Sequence, residues 1–114
     1  MKLRNGDRAV VDIRKLRDYC LNPEHVDGKH KARVFKSALG LRKSDADDLR
    51  DTLLEVAITG SVTKGGRDRR GQRYTLDFEL MRGHRKATIR SGWIVHHDEN
   101  FPRLTTCYVL KKGR

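Results

Sequence analysis

The spacing of apolar residues changes from helical to alternating about halfway along the chain. In the first half, apolar side chains recur every three or four residues, which predicts three amphipathic helices. The first begins after Asp12, and the second covers about residues 29–39 and ends at Gly40. The third begins after Ser44 or Asp45, where acidic side chains favour the start of a helix.

In the second half, apolar and polar residues alternate, which predicts strands over residues 73–80, 87–95 and 103–110. Residues 64–72 are rich in glycine and arginine and are expected to form a loop. Short connections between successive strands favour an antiparallel sheet. The predicted fold is therefore α+β, with about three N-terminal helices packed on a C-terminal antiparallel sheet of three to four strands, and residues 1–114 are expected to form a single domain.

The alternation also predicts which side chains lie on the core face of the sheet and which lie on the opposite face. Leu104 and Tyr108 are expected to face the helices. The opposite face is expected to carry Thr75, Asp77, Arg90, Arg103, Thr105 and, at its end, Cys107. A register slip of one residue would exchange the faces and turn Ser91 and Trp93 outward, where the indole could stack on a base. A core position is favoured for this single tryptophan.

The charge balance points to an anionic partner. The chain has 26 Lys and Arg residues against 15 Asp and Glu residues, a net charge of +11. Residues 44–63 are the exception, with a net charge of −4, so the third helix should face away from a polyanion. RNA or another nucleic acid is the favoured partner, and an acidic protein is the alternative. No apolar run long enough for a membrane span and no signal peptide are recognised, so a cytoplasmic location with reduced thiols is expected.

One residue of the second helix breaks its pattern. Lys31 precedes Val34 by three residues and Phe35 by four, which places a cation on the apolar side of the helix. Its ammonium group either extends to water or points into a cleft, where it could neutralise a phosphate or take part in proton transfer. The adjacent His96 and His97 are further candidates for acid–base chemistry.

The chain resembles a family of small, uncharacterised bacterial domains. The resemblance covers nearly the whole chain and rests on G-x-x-K-A-x-x-F followed by L-G, then S/T-x-W, then L-T-T-x-Y. The matching residues are Gly28, Lys31, Ala32, Phe35, Leu39, Gly40, Gly71, Ser91, Trp93, Leu104, Thr105, Thr106 and Tyr108. The layout of helices before an antiparallel sheet is distantly similar to that of barnase, colicin and RelE-type toxin ribonucleases.

This second resemblance implies a metal-independent ribonuclease of bacterial toxin type, in which the 2′-hydroxyl of RNA attacks the adjacent phosphate. The candidate catalytic residues are Lys31, Ser91, Arg103, Thr105 and Tyr108. The candidate nucleic-acid-binding residues are Arg67, Arg69, Arg70, Arg90 and Trp93. No metal and no cofactor are expected, and an acidic antitoxin or immunity protein is a possible partner. The alternative is a non-catalytic basic module that binds nucleic acid or an acidic protein.

Overall fold

The computed structural model describes residues 1–110 and contains three helical segments followed by four strands. A short helix α1 (Ile13–Lys15) continues as a π-helical turn (Leu16–Cys20) and is followed by α2 (Lys29–Leu39) and α3 (Ala46–Thr59). Two 3₁₀ turns, Gly6–Arg8 and Lys43–Asp45, complete the helical half. The longest helix in this part of the chain has 14 residues, and none is long and apolar enough to cross a membrane.

The helix ends follow local rules that the sequence makes visible. The Asp12 carboxylate accepts a hydrogen bond from the Arg14 amide at 3.0 Å, which caps α1. Gly40 ends α2 in the left-handed conformation, with φ at 68°, and its amide donates to the Lys36 carbonyl at 2.8 Å. Both predicted helix boundaries are confirmed.

The four strands form one antiparallel sheet in chain order. They are β1 (Thr63–Arg67), β2 (Gly71–Arg82), β3 (Arg85–His96) and β4 (Arg103–Val109). The α+β prediction is confirmed. The prediction of a loop over residues 64–72 is wrong for its first part, because β1 pairs with β2 there. Every residue of β1 is exposed, so this strand carries no alternating pattern for a sequence to reveal.

A bulge in β4 changes which side chains reach the core. Gly92 pairs with Thr106 and Trp93 pairs with Leu104, so Thr105 is an extra residue on β4. Beyond the bulge the alternation is reversed. The prediction of an outward Cys107 is therefore wrong, because Cys107 is completely buried. The prediction that Tyr108 shares a face with Leu104 is wrong for the same reason.

The core lies between the helices and one face of the sheet. Phe35 and Leu39 of α2 and Leu49 and Leu53 of α3 pack there with Trp93. Additional buried side chains of this cluster include Leu16, Cys20, Leu76, Ile89, Leu104 and Cys107. The core position favoured for the single tryptophan is thus confirmed, since its side chain is 1% exposed.

Candidate active site beside strand β4

Lys31, the cation on the apolar side of α2, lies between two tyrosines. The Lys31 Nζ atom donates a hydrogen bond to the Tyr19 hydroxyl at 3.0 Å and lies 5.1 Å from the centre of the Tyr19 ring. It also lies 6.0 Å from the centre of the Tyr108 ring. Among residues 1–110 no carboxylate forms an ion pair with this ammonium group. Lys31 is therefore a half-buried cation whose charge no acidic side chain neutralises.

The electrostatics of Lys31 favour the charged form. The hydrogen bond to Tyr19 raises the pKa of Lys31 above its ordinary value and outweighs partial burial, which acts in the opposite direction. An amine that stays protonated at neutral pH cannot act as a general base. A charged Lys31 is compatible with stabilisation of negative charge or with donation of a proton, but not with removal of one.

Local backbone geometry explains why Lys31 and Tyr19 meet. Tyr19 belongs to the π-helical turn, in which the Leu21 amide donates to the Leu16 carbonyl at 2.8 Å. Gly28 lies directly against this turn, and a Cβ atom at Gly28 would overlap the Tyr19 carbonyl oxygen. The glycine three residues before Lys31 thus allows the start of α2 to approach the π turn closely enough for the hydrogen bond.

His25 adds an imidazole to the same cleft. Its Nδ1 atom accepts hydrogen bonds from the amides of Asp27 and Gly28, both at 2.9 Å. Its ring meets the Tyr19 ring edge-on, with the centroids 5.0 Å apart. Because Nδ1 is occupied as an acceptor, the neutral ring carries its proton on Nε2. His25 therefore offers one hydrogen-bond donor to the cleft.

Two buried thiols lie behind Lys31. Cys20 of the π turn and Cys107 of β4 are both free and completely buried. Their mutual contact lowers the pKa of Cys20, and Thr106 and Lys31 act in the same direction. The same contact and complete burial raise the pKa of Cys107 well above its ordinary value. The pair joins the π turn to β4 underneath the cleft.

The cleft continues into a basic channel. One concavity is lined by Arg14, Lys15, Tyr19, His25 and Thr105, together with the carboxylates of Asp12 and Asp18. Lys15 and Thr105 also line the next one, of about 340 Å³, whose other lining residues include Arg70, Arg73, Ile94, His96 and Arg103. Lys31 and Tyr108 line a third, of about 440 Å³, together with His30, Val34 and Val109. We give the name edge cleft to two concavities that the hydrogen bond between Lys31 and Tyr19 connects, one with Tyr19, His25 and Thr105 and the other with Lys31 and Tyr108. We call the group Lys15, Arg70, Arg73 and Arg103 the basic channel.

The bulge is what brings Thr105 into this arrangement. As the extra residue of β4, it lies where the two concavities meet. Bulges often redirect a side chain in this way beside a functional site. The hydroxyl of Thr105 is thus placed between the edge cleft and the basic channel.

Two of the predicted arginines already have carboxylate partners. The Arg90 guanidinium binds both oxygens of Asp77, each at 2.8 Å. Arg103 binds both oxygens of Glu99, also at 2.8 Å. Each arginine holds the pKa of its carboxylate partner below the ordinary value. A phosphate would have to compete with Glu99 for the Arg103 side chain.

The turn between β1 and β2 is built around Asp68. Its carboxylate accepts hydrogen bonds from the Arg70 amide at 2.8 Å and from the Arg73 side chain at 3.3 Å. His96 and His97 hold the same turn, because their rings contact the carbonyl oxygens of Arg70 and Asp68 at 3.1 and 2.8 Å. A carbonyl can only accept, so each imidazole donates here. The predicted acid–base candidates His96 and His97 are therefore engaged in fixing the turn.

Three arginines in and beside this turn differ from Arg90 and Arg103, because they have no carboxylate partner in the described part of the chain. Arg67, Arg69 and Arg70 are exposed, and none of the three forms an ion pair within the described part of the chain. Arg70 additionally borders the basic channel. Their guanidinium groups are free to contact phosphates without reading a sequence.

The structure brings together some of the predicted site residues and separates others. Lys31 and Tyr108 line one concavity, and Thr105 and Arg103 line another. Ser91 and Trp93 lie in the core, where the Ser91 hydroxyl donates to the Leu76 carbonyl at 2.7 Å and accepts from the Trp93 indole at 2.9 Å. Their burial leaves no surface that a polymer could reach.

Two cleft residues were missed by sequence reasoning. Apolar spacing places Tyr19 on the apolar face of the first helix and His25 in the loop that follows, and neither pattern shows that the two rings meet. The available signal was their position around Gly28, since a glycine just before a helix often marks a close approach of two backbone segments. No group of three or more metal-binding side chains occurs in residues 1–110.

The fold and the cleft define an α+β domain with a basic, tyrosine-rich site on the edge strand of its sheet. A solved structure with this fold is a contact-dependent growth inhibition toxin–immunity protein complex from Klebsiella pneumoniae 342. The similarity has a TM-score of 0.68 and covers 94% of this chain and 97% of the matched chain, at 16% sequence identity. At that identity the similarity establishes the fold alone.

A family model gives the more specific assignment. Residues 2–111 match the family described as Domain of unknown function (DUF6883), and the chain belongs to that family. The predicted relation to an uncharacterised domain family is thereby confirmed. No protein of curated function matches the chain significantly.

Proposed function

We propose that this domain is a metal-independent endoribonuclease of the bacterial toxin type. The observation that supports this best is Lys31, a half-buried cation without a carboxylate partner among residues 1–110, held between Tyr19 and Tyr108 beside a basic channel. Such a charge is costly to bury unless an anion pairs with it in the working complex. The fold shared with a chain of a toxin–immunity complex is compatible with this class of function.

The proposed reaction needs no metal. The 2′-oxygen of a ribose forms a bond to the adjacent phosphorus, and the bond between phosphorus and the 5′-oxygen of the next nucleotide breaks. The products are a 2′,3′-cyclic phosphate and a free 5′-hydroxyl. Negative charge accumulates on the phosphate oxygens in the transition state, and the Lys31 ammonium group would stabilise it. The Thr105 hydroxyl would donate to an RNA phosphate at the entrance to the basic channel.

Two proton transfers accompany this exchange of bonds. The 2′-hydroxyl must lose a proton, and the leaving 5′-oxygen must gain one. We assign the second transfer to Tyr108, whose phenol lies near the Lys31 cation and can give its proton to the leaving oxygen, while water takes the proton of the 2′-hydroxyl. The Nε2–H group of His25 would donate a hydrogen bond to a phosphate oxygen. Tyr19 keeps Lys31 charged and in place.

The basic channel would hold the RNA on one side of the scissile bond. Lys15, Arg70, Arg73 and Arg103 line it, and Arg67 and Arg69 extend the positive surface along the β1–β2 turn. Phosphate contacts of this kind position a strand without selecting its sequence. The core position of Trp93 leaves base stacking to the cleft tyrosines.

The test compares purified wild-type protein with Lys31→Ala on an RNA oligonucleotide. Cleavage with a 2′,3′-cyclic phosphate product is expected for the wild type, and a loss of about 10²-fold or more for the variant. Lys2→Ala removes an equal charge at an exposed position outside the cleft and should cleave normally. A substrate with a single 2′-deoxyribose at the cleavage position should resist the wild type. Equal cleavage by Lys31→Ala and wild type would remove Lys31 from the mechanism.

A non-catalytic role is the second candidate, and the ion pairs of Arg90 and Arg103 favour it. Sheet arginines held by carboxylates suit a binding surface as well as an active site. This candidate predicts salt-sensitive binding of RNA, or of an acidic protein, with no product formed. A wild type that binds RNA without cleaving any of a mixed-sequence set would favour it.

A further inference from the structure

A second concave surface lies on α2, away from Lys31. This groove has a volume of about 440 Å³ and a floor of apolar side chains, namely Leu21, Ala32, Leu41 and Pro23. Its rim consists of cations from α2 and from the segment that follows it: Lys29, Arg33, Lys36, Arg42 and Lys43. We call this surface the α2 groove.

Acidic side chains offset the rim cations only in part, since Asp45 lies near Arg42 and Asp18 lies near Lys43. None of the five forms an ion pair within residues 1–110. The Arg33 guanidinium only contacts His30, at 2.9 Å from the Nδ1 atom. All five are exposed, and the aliphatic stems of lysine and arginine extend the apolar surface outward from the floor. The groove thus combines an apolar centre with a continuous positive border.

The α2 groove and the edge cleft use different faces of one helix. Lys29, Ala32, Arg33 and Lys36 recur at intervals of three and four and line the groove. His30, Lys31 and Val34 line the concavity beside Tyr108. Phe35 and Leu39 face the core. A ligand in the groove therefore leaves Lys31 uncovered.

The chemistry of the groove distinguishes between anionic ligands. A single-stranded nucleic acid would need aromatic side chains on which to stack its bases, and the lining contains none. An apolar floor inside a ring of cations instead matches an amphipathic helix with apolar anchors along one stripe and Glu or Asp on both sides of it. Leu21, Ala32 and Leu41 are already buried, so such a segment would cover the exposed Pro23 and the aliphatic stems of the rim and neutralise the rim charges together.

We propose that the α2 groove is a docking site for an acidic amphipathic helix of a partner protein. This site is separate from the proposed active site and does not depend on RNA cleavage. The rim charges would steer the encounter, and the anchors on the floor would slow dissociation.

The test uses a synthetic, fluorescently labelled helical peptide with Leu at its anchor positions and Glu on both flanks. Two matched peptides replace either the Glu residues with Gln or the Leu residues with Ser. Saturable binding is expected for the first peptide only, with amide chemical-shift changes centred on Ala32 and Leu41. The double variant Lys29→Glu, Lys36→Glu should weaken binding at least tenfold.

The control is a second double variant, Lys2→Glu with Arg4→Glu, which makes the same charge change at two exposed positions outside the groove. It should keep near wild-type affinity. An equal loss in both double variants would indicate unspecific charge attraction and would overturn the proposal. Chemical-shift changes centred on Lys31, equal binding of the Ser-substituted peptide, or no saturable binding would overturn it as well.

Discussion

The Lys31 Nζ atom and the Tyr19 hydroxyl are joined by a hydrogen bond of 3.0 Å between α2 and the π turn. This contact crosses from one helical segment to another and keeps a half-buried ammonium group charged. It also fixes the position of that charge relative to His25 and Tyr108.

Replacing Tyr19 with Phe should lower the pKa of Lys31, because the hydrogen bond from Lys31 to Tyr19 is the main cause that raises it. A raised lysine pKa contributes stability that is fully present below the ordinary value of 10.5 and is lost as the pH rises through the folded-state value. The variant should therefore lose about 1 kcal/mol at pH 7 and less at higher pH. Urea unfolding at several pH values, with an NMR titration of the Lys31 side chain, measures both effects.

The control for this change is Tyr74→Phe, because the Tyr74 hydroxyl makes no hydrogen bond to a described residue in this structure. It should leave the pH dependence of unfolding unchanged. A Tyr19→Phe protein with the same Lys31 titration as wild type would contradict the prediction.

The substitution His25→Asn should separate the two roles of the imidazole. The Asn side-chain oxygen can replace Nδ1 as acceptor for the amides of Asp27 and Gly28, so the melting temperature should change little. The Nε2 donor is lost, and cleavage should fall about 10²-fold. Activity assays and thermal unfolding on the same preparation provide the comparison. If His25 only supports the loop, His25→Asn will cleave as the wild type does.

Ser91→Ala should destabilise the protein without changing any residue of the edge cleft. It removes the partner of the Leu76 carbonyl and of the Trp93 indole, both of which are buried. The expected loss in the free energy of unfolding is about 2–4 kcal/mol, since two polar groups are left unpaired. In a Trp93→Phe background the same change should cost less, because only the Leu76 carbonyl is then left without its partner. Urea unfolding of the wild type, the two single variants and the double variant tests this prediction. An equal loss of stability from Ser91→Ala in both backgrounds would contradict it.

Gly28→Ala should weaken both the fold and the site. The added methyl group would overlap the Tyr19 carbonyl and force the start of α2 away from the π turn. We expect a loss of about 1–3 kcal/mol in the free energy of unfolding and a longer distance between Lys31 and Tyr19. Gly66→Ala is the control, because a Cβ atom there meets nothing within 4 Å. Equal stability of the two variants would show that the backbone accommodates the methyl group.

Glu99→Gln should strengthen RNA binding. The carboxylate that holds Arg103 is removed, and the guanidinium becomes free to contact a phosphate in the basic channel. The slope of the logarithm of affinity against the logarithm of salt concentration should become steeper by about one phosphate contact. Asp51→Asn makes the same charge change on α3 and should leave the slope unchanged. An unaltered slope for Glu99→Gln would show that Arg103 stays away from the RNA.

The boundaries of α2 and α3 and the alternation in β2 and β3 could be predicted from the sequence, because local patterns carry them. Asp12 starts a helix and Gly40 ends one through hydrogen bonds to residues within one helical turn. Apolar spacing indicates which side of an element is buried. The position of Lys31 on the apolar side of α2 was visible for the same reason. These statements need only neighbouring residues.

Other features depended on pairing between distant segments. Strand β1 forms because its backbone pairs with β2. All its side chains are exposed, so they give no alternating pattern from which the strand could be predicted. The bulge at Thr105 is a mismatch between β3 and β4, and it decides that Cys107 is buried and that Tyr108 lies near Lys31.

The sequence by itself determined the fold class, the positive charge and the presence of a cation where a helix should be apolar. Only the tertiary structure decided what that cation meets, since Tyr19 and Tyr108 come from separate segments of the chain. The physical reason is that periodicity and capping are local, whereas register, bulges and close backbone approach arise when segments far apart in the chain pack together.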